Sequence, residues 1–459
     1  MGIFNALINA YTVEEGFSGA KDITSEAMKS EISKWFALYY DGDRNKEKDA
    51  CQRIPYNVVH KLTNACFGEY SAESKDQFAQ GVLKSLDERK KLAMQMLMIG
   101  GEALIKPVPL KDRFIFNIVR RDCMLVFGRD PTGAPCDIGT IERSKKGTKF
   151  YTLLERRTVG AGGYLTIKNT LYASESEDTL GRVTSLQAVE AYAELSDEYT
   201  FTKPLNGLGL VYMKMPTENT VDGSADGVSV YAPATGIIQN IYENEAQING
   251  EFNRGKSKVF ASSDLMRRRS DGSRAFDDDV FVALDDSPDN VGVTIFSPDL
   301  RIEEYEKREQ KYLRAIESNL GIKRGLLSEV EAVERTAKEI TSSEGDYNLT
   351  ITDLQSIWTA AVYETLRLCG TLGELYKVNG AHEISDPESV VTIDYGNGVL
   401  FDEEKAWAGY LDMVARGLLK PEIALGWRFN MPTETEADLA KIREKYMPVV
   451  DESAEGGVE

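Results

Sequence analysis

Residues 250–257 read GEFNRGKS, matching the template G-x-x-x-x-G-K-[ST] through Gly250, Gly255, Lys256 and Ser257. In a nucleotide-binding loop this pattern wraps phosphates with backbone N–H groups, and it works because a strand delivers the loop and a helix begins at the Lys-Ser. Here the flanking sequence predicts the opposite order. Residues 232–252 place Ile237, Ile238, Ile241, Tyr242, Ile248 and Phe252 at helical spacing, and KVFASS (258–263) alternates like a strand. Gly255 then reads as the stop of a helix whose last apolar anchor is Phe252. VVTIDY (390–395) is the nearest candidate for an acidic strand end downstream, and it is remote. The stretch is therefore read as a helix-to-strand turn. A nucleotide hydrolase using Gly250–Ser257 is the alternative.

Downstream of the turn lies a compact polar segment holding MRRR (266–269), FDDDVFVAL (276–284) and VTIF (293–296), followed by a charged helix over 299–319. That helix offers Leu300, Ile302, Tyr305, Tyr312, Leu313 and Ile316 among many Glu, Lys and Arg residues. The helix before the turn is similar, a stripe of isoleucines with Glu243, Glu245 and Glu251 on other faces. Two rods with so narrow an apolar stripe cannot each anchor in a deep core of their own chain. They predict a hairpin-like projection that neighbouring copies would pack beside, with a small β insert at its end.

Further out, the N-terminal part predicts helices over 24–40, 56–69 and 76–99, the last stopped by Gly100-Gly101. From 102 to about 215, short apolar runs alternate with turn signals such as RDPTGAP and GAGG, an antiparallel β-rich pattern. PTENTVDGSADGV (216–228) reads as a polar loop. Two helices are expected over 328–344 and 352–377, separated at Gly345-Asp346, then the strand VVTIDY. Three short helices follow, over 402–417, 420–427 and 433–446, and the tail DESAEGGVE reads as disordered. The class is mixed α+β, and the lack of strand–helix alternation disfavours a doubly wound sheet.

The chain has 459 residues and a net charge of −20, which argues against a protein that grips nucleic acid tightly but not against one that DNA merely passes. Five scattered cysteines without a C-x-x-C pair read as buried thiols of a reduced, intracellular chain. There is no apolar run of membrane-spanning length and no recognisable leader, so no membrane partner is expected. His60, on a half-buried helix face, and His382 are the only histidines, leaving few soft ligands for zinc. The acidic group Asp277, Asp278, Asp279, Asp285, Asp286 and Asp289 lacks calcium-loop spacing and reads as a solvated face. No metal, cofactor or catalytic residue is expected. Arg267, Arg268 and Arg269 form the one concentrated basic patch, read as an interface or loop charge cluster.

The order of these parts resembles the portal proteins of tailed bacteriophages, of the long-tailed siphophage type. The likeness is carried by EFNRGKSKVF, SPDLRIEEYEKREQKYLRAIESNLGI, ERTAKEITSSEGDYNLTI, and the run from VTIDYGNGVLF to ETEADLAKI, spanning roughly residues 52–447. The resemblance implies a portal fold with a wing (1–233), paired stem helices (234–255 and 300–319), a small α/β clip (256–299) and a tunnel loop (320–331). It further implies a long wing helix and return strand (332–400), a helical crown (401–450) and an acidic tail (451–459). It implies a non-enzymatic ring, usually of twelve subunits, at one capsid vertex, assembled in the bacterial cytoplasm and carried in the virion; another minor virion or tail structural protein is the second alternative. Double-stranded DNA would pass through its channel. Its partners would be the terminase large subunit, head-completion or adaptor proteins, and the major capsid and scaffolding proteins. Mapped by order, Lys323, Arg324, Glu329 and Glu331 fall in the tunnel loop, and Arg267, Arg268 and Arg269 in the clip interface. The tunnel-loop region here is short and basic at Lys323-Arg324, a departure from the family pattern. Surplus negative charge on a channel wall would repel phosphates and discourage tight stops.

Overall fold

The computed structural model describes residues 15–17, 19–40, 53–160, 162–205, 207–254, 258–262, 267–268, 274–275, 281–284, 294–296, 301–329, 337–396, 403–429, 431–433 and 435–447, with the side chains of 254, 258–296, 337–346 and 403–406 excepted. The chain divides into two units, residues 1–67 with 72–393, and residues 68–71 with 394–459.

In the larger unit, α1 (Glu26–Tyr39) starts where the Ser25 side chain accepts the Met28 N–H, and it buries Met28, Ile32, Trp35 and Phe36. This is the i, i+4, i+7, i+8 stripe of an amphipathic helix. α2 (Ile54–Phe67) buries Val58, Val59, Leu62 and Cys66 in the same way. The single helix expected over 76–99 is two, α3 (Gln77–Asp87) and α4 (Lys90–Gly100). The break falls in Asp87-Glu88-Arg89-Lys90-Lys91, five charged residues that leave a helix no apolar face to hold. Turning there lets α4 bring Met94, Leu97, Met98 and Ile99 fully inside.

Gly101 ends α4 in the left-handed region, φ 78°, as the expected stop. A methyl group added there would lie 2.4 Å from the backbone of Gly227 and Val228, and one added at Gly227 would lie 2.3 Å from the Gly101 carbonyl oxygen. The two glycines let the 216–228 segment lie directly on the helix end.

The β-rich region forms two antiparallel sheets. β1 (Glu102–Pro109) pairs with β2 (Phe114–Arg120) and with the distant β9 (Val211–Lys214). The larger sheet runs β3 (Met124–Arg129), β4 (Pro135–Lys146), β5 (Lys149–Val159), β6 (Leu165–Ser174) and β7 (Arg182–Thr184), with β8 (Glu198–Thr200) also on β6. Lys146 pairs with Lys149, and Gly147 at φ 62° supplies the positive dihedral that a two-residue hairpin loop needs.

Polar burial ties these parts together. Glu102, wholly buried, takes Arg121 at 2.8 Å, Arg129 at 2.9 Å, the Tyr212 hydroxyl at 2.6 Å and the Gly227 N–H at 3.1 Å. Asp226 receives the same two guanidinium groups, and Arg121 also donates to Thr24 and to the Met124 carbonyl. The segment read as a polar loop is thus partly core, with Asn219, Asp226 and Val228 buried. Burial and the neighbouring Glu102 push the Tyr212 phenol well above its usual range, keeping it a donor.

After the paired helices described below, the two helices expected over 328–344 and 352–377 are one, α7 (Ala337–Tyr376, 40 residues). Gly345 and Asp346 do not end it. A glycine costs a helix interior about 1 kcal/mol relative to alanine. Burial of Ile351, Leu354, Trp358, Val362, Leu366, Cys369 and Leu372 on one face further along outweighs that. Trp358 meets Phe67 of α2 edge-on at 5.4 Å. Gly370 and Gly373 leave room for the returning segment at Ala381–Ile384. The strand Val391–Asp394, β15, lies where the two units divide.

The smaller unit contains α8 (Glu403–Ala415), α9 (Pro421–Arg428) and α10 (Glu436–Tyr446), close to the three helices expected. Trp427 stacks with Tyr410 at 4.8 Å and Trp407 at 6.3 Å, and Phe429 stacks on Tyr446 at 4.3 Å. Thr435 caps α10, and Arg443 donates to Glu422 at 2.7 Å. The whole is α+β. Among the described residues no helix is long and apolar enough to cross a membrane.

Glu155 provides a check on the β region. Burial works against its charge, but Arg157 and Lys106, each at 2.7 Å, outweigh it and hold its carboxyl down to about 2 from 4.5. A depressed carboxylate stabilises the fold above its unfolded value and loses that contribution as pH falls. Unfolding free energy should therefore drop between pH 4.5 and about 2. In Glu155→Gln this acid branch should flatten, and stability at pH 7 should fall by roughly 3 kcal/mol, measured by urea denaturation at several pH values.

Candidate functional site: the helix pair and the turn that follows it

α5 (Thr235–Arg254) and α6 (Ile302–Asn319) run antiparallel. Asn244 donates to the Tyr305 carbonyl at 3.2 Å, Gln247 accepts from Arg308 at 3.5 Å, and Glu251 accepts from Arg301 at 3.2 Å. Burial along the pair is uneven. At the base Ile238, Ile241, Asn244, Leu313, Ile316 and Glu317 are buried. Towards the other end, Phe252, read as an apolar anchor, is 48 % exposed and the Arg301 side chain 69 %. The pair is thus rooted in its own unit and bare at its far end, a finer result than the uniform lack of anchorage expected from sequence.

Glu245 and Glu309 oppose each other across the pair. Burial, and then Glu309, raise the Glu245 carboxyl.

Beyond α5 the chain forms strands. β10 (Lys258–Ser262) sits between β13 (Phe281–Leu284), parallel to it, and β14 (Thr294–Phe296), antiparallel. β11 (Arg267–Arg268) pairs with β12 (Arg274–Ala275), placing Arg268 opposite Arg274. Arg267 and Arg268 therefore lie on a strand of the insert; Arg269 lies outside the described residues, as do Gly255, Lys256 and Ser257. Gly250 is inside α5, and the order around GEFNRGKS is helix then strand. That is the reverse of the phosphate-binding arrangement.

At its other end α6 stops in a Schellman arrangement. Gly321, φ 60°, donates to Ser318 and Ile322 donates to Glu317 at 3.1 Å, with Ile322 buried. The Glu317 side chain, 1 % exposed, then organises the following turn. Its Oε1 accepts the N–H groups of Gly325 (3.1 Å), Leu327 (2.6 Å) and Ser328 (2.9 Å), and its Oε2 accepts the Ser328 hydroxyl at 2.7 Å. Successive backbone N–H groups aimed at one point form an anion-binding concavity, filled here by the chain's own carboxylate. Lys61 of α2 donates to the Leu326 carbonyl, Gln310 accepts the Glu329 N–H at 2.8 Å, and Thr350 of α7 donates to the Gly321 carbonyl at 3.5 Å. Gly325, φ 90°, makes the bend.

Held this way, Lys323, Arg324 and Glu329 stand exposed on one ordered turn, whereas Glu331 lies outside the described residues. The sequence singled out Lys323, Arg324, Glu329 and Glu331 by their order in the chain and gave no place to Glu317, Lys61 and Gln310. Glu317 had one available signal, an acidic residue on the apolar side of the helix directly before Leu-Gly-Ile. His60, expected half-buried, is exposed and stacks on Tyr56 at 5.4 Å. Among the described residues no cluster of His, Cys, Asp and Glu could hold a metal ion.

No family model matches the chain, and no curated protein matches it by sequence. Among solved structures it is similar to a chain of the neck of a native GTA particle computed with C12 symmetry, at 12 % identity and a TM-score of 0.47, over 92 % of this chain and 98 % of that one. A likeness this slight carries no argument.

Charge-assisted hydrogen bonds contribute about 1.5–3 kcal/mol each. Glu317→Ala should therefore speed hydrogen exchange of the Gly325, Leu327 and Ser328 amides by at least roughly tenfold, while amides of α4 keep their protection. Unchanged exchange in the turn would show that Glu317 does not hold it.

Proposed function

We propose that this chain is the subunit of a portal ring, a non-enzymatic connector at one capsid vertex through which double-stranded DNA is packaged and ejected. The observation that carries the reading is the antiparallel pair α5 and α6, rooted at one end, bare at the other, and joined through a small β insert. A pair that leaves Phe252 exposed and Ile248, Ile302 and Tyr305 only half-buried at its far end gains burial when like pairs stand beside it around an axis. The ordered sequence segments that resemble portal proteins support the same conclusion.

On this reading the pair is the stem, the insert is the clip that meets the terminase large subunit and later the head-completion proteins, and the helices of the smaller unit are the crown. The wing faces the major capsid and scaffolding proteins. The turn at 320–329 faces the channel, where Lys323 and Arg324 offer a small number of local positive charges to a passing polyanion within a chain of net charge −20. Twelve subunits is the expected count, and the virion the place of action.

Purified protein viewed by negative-stain electron microscopy should show rings with an open central channel, and a monomer at every protein and salt concentration tried would overturn the proposal. Lys323→Glu with Arg324→Glu should leave rings intact and lower DNA packaging severalfold in an in vitro packaging assay. Normal packaging would remove the turn from the channel.

A further inference from the structure

The two outer edges of the helix pair differ in charge. On α5 the inward positions are Ile238, Ile241 and Asn244, all buried. At about 100° per residue, Glu243 falls on nearly the opposite side, where it is exposed and makes no ion pair among the described residues. Through Asn253 the helix carries three glutamates and no Lys or Arg. On α6 the inward positions are Tyr305, Leu313 and Ile316, and Lys307 and Lys311 lie i, i+4 on the opposite edge, both exposed. Lys311 makes no ion pair among the described residues. Lys307 reaches only Glu303, at 3.6 Å between side chains 77 % and 83 % exposed, a contact of little strength.

The edges also match in height. The cross-links Glu251 to Arg301 and Asn244 to Tyr305 fix the register of the pair. They set Glu243 level with residues near 309, between Lys307 and Lys311 and within about one helical turn of each. Copies related by rotation about an axis along the pair keep these levels. Ala246 follows Glu243 on the same edge and gives lysine stems room to lie flat.

We infer that neighbouring copies join head to tail along this pair, the Lys307–Lys311 edge of one on the Glu243 edge of the next. The inference rests on the ring reading and adds which edges meet. A two-fold axis along the pair would instead set Glu243 against Glu243, or Lys307 and Lys311 against their own copies, at matched height, where like charges repel. The heterologous arrangement pairs opposite charges at every junction and, when the rotation closes, leaves no edge unpaired. Charge complementarity of this kind fixes register and rejects wrong pairings more than it adds affinity.

The test uses the full chain, mass photometry across a salt series, and circular dichroism to confirm folding. Glu243→Lys alone, and Lys307→Glu with Lys311→Glu, should each abolish rings or make them dissociate at severalfold lower salt. The three substitutions together should restore rings. Wild-type salt tolerance in the double variant, or no recovery in the triple, would overturn the edge assignment while leaving the ring standing. Absence of rings from the wild type would instead overturn the ring reading beneath it. As a second measure, Glu243→Cys with Lys311→Cys should give, on oxidation, a ladder of cross-linked multimers; intramolecular cross-links alone would overturn the assignment.

Discussion

The packing of α5 on α6 sets the terms for the rest of the molecule. Each helix offers one thin apolar seam, and the seam is covered only where Ile238, Ile241, Leu313 and Ile316 reach the body of the chain. Past that point Ile248, Ile302 and Tyr305 are only half-buried, Phe252 is exposed, and the polar contact is a glutamate to an arginine. Exposed ion pairs contribute at most about 1 kcal/mol each. The pair therefore needs a strong foundation, and much of the larger unit supplies one.

That foundation uses charge as well as oil. Glu102, Arg121, Arg129 and Asp226 bring two carboxylates and two guanidinium groups into a buried site that joins β1, the larger sheet and the 216–228 segment. Buried ion pairs of this sort are weak sources of net stability, but breaking one is costly because it leaves an uncompensated charge. Glu317 follows the same logic at smaller scale. Its carboxylate has hydrogen-bond partners at both oxygens, so alternative courses of the 320–329 turn would strand a buried charge.

Much of this was legible in the sequence wherever structure follows local pattern. The stripe of Met28, Ile32 and Phe36, the alternation and turns between 102 and 215, and the helix–strand order around GEFNRGKS all report short-range geometry. Failures came where a distant partner decides. Nothing near residues 88–89 signals a turn except five consecutive charges, and nothing near Gly345 reveals that packing further along carries the helix through. Arg121 and Asp226 stand 105 residues apart, so their meeting is invisible to periodicity. Lys323 and Arg324 could be placed in a turn by order, but the carboxylate that shapes the turn could not, because its partners are three backbone N–H groups and one hydroxyl eight to eleven residues on.

The anchoring of that turn has a mechanical side. It is fastened at three separate places, to α2 through Lys61, to α6 through Glu317 and Gln310, and to α7 through Thr350. α7, about 60 Å from end to end, continues beyond Thr350 with Ile351, Leu354, Trp358, Val362 and Leu366 buried. A tug on the exposed Lys323-Arg324 tip is thus shared among three helices and spread into the core. Such a tip stays a fixed tooth for as long as those hydrogen bonds hold.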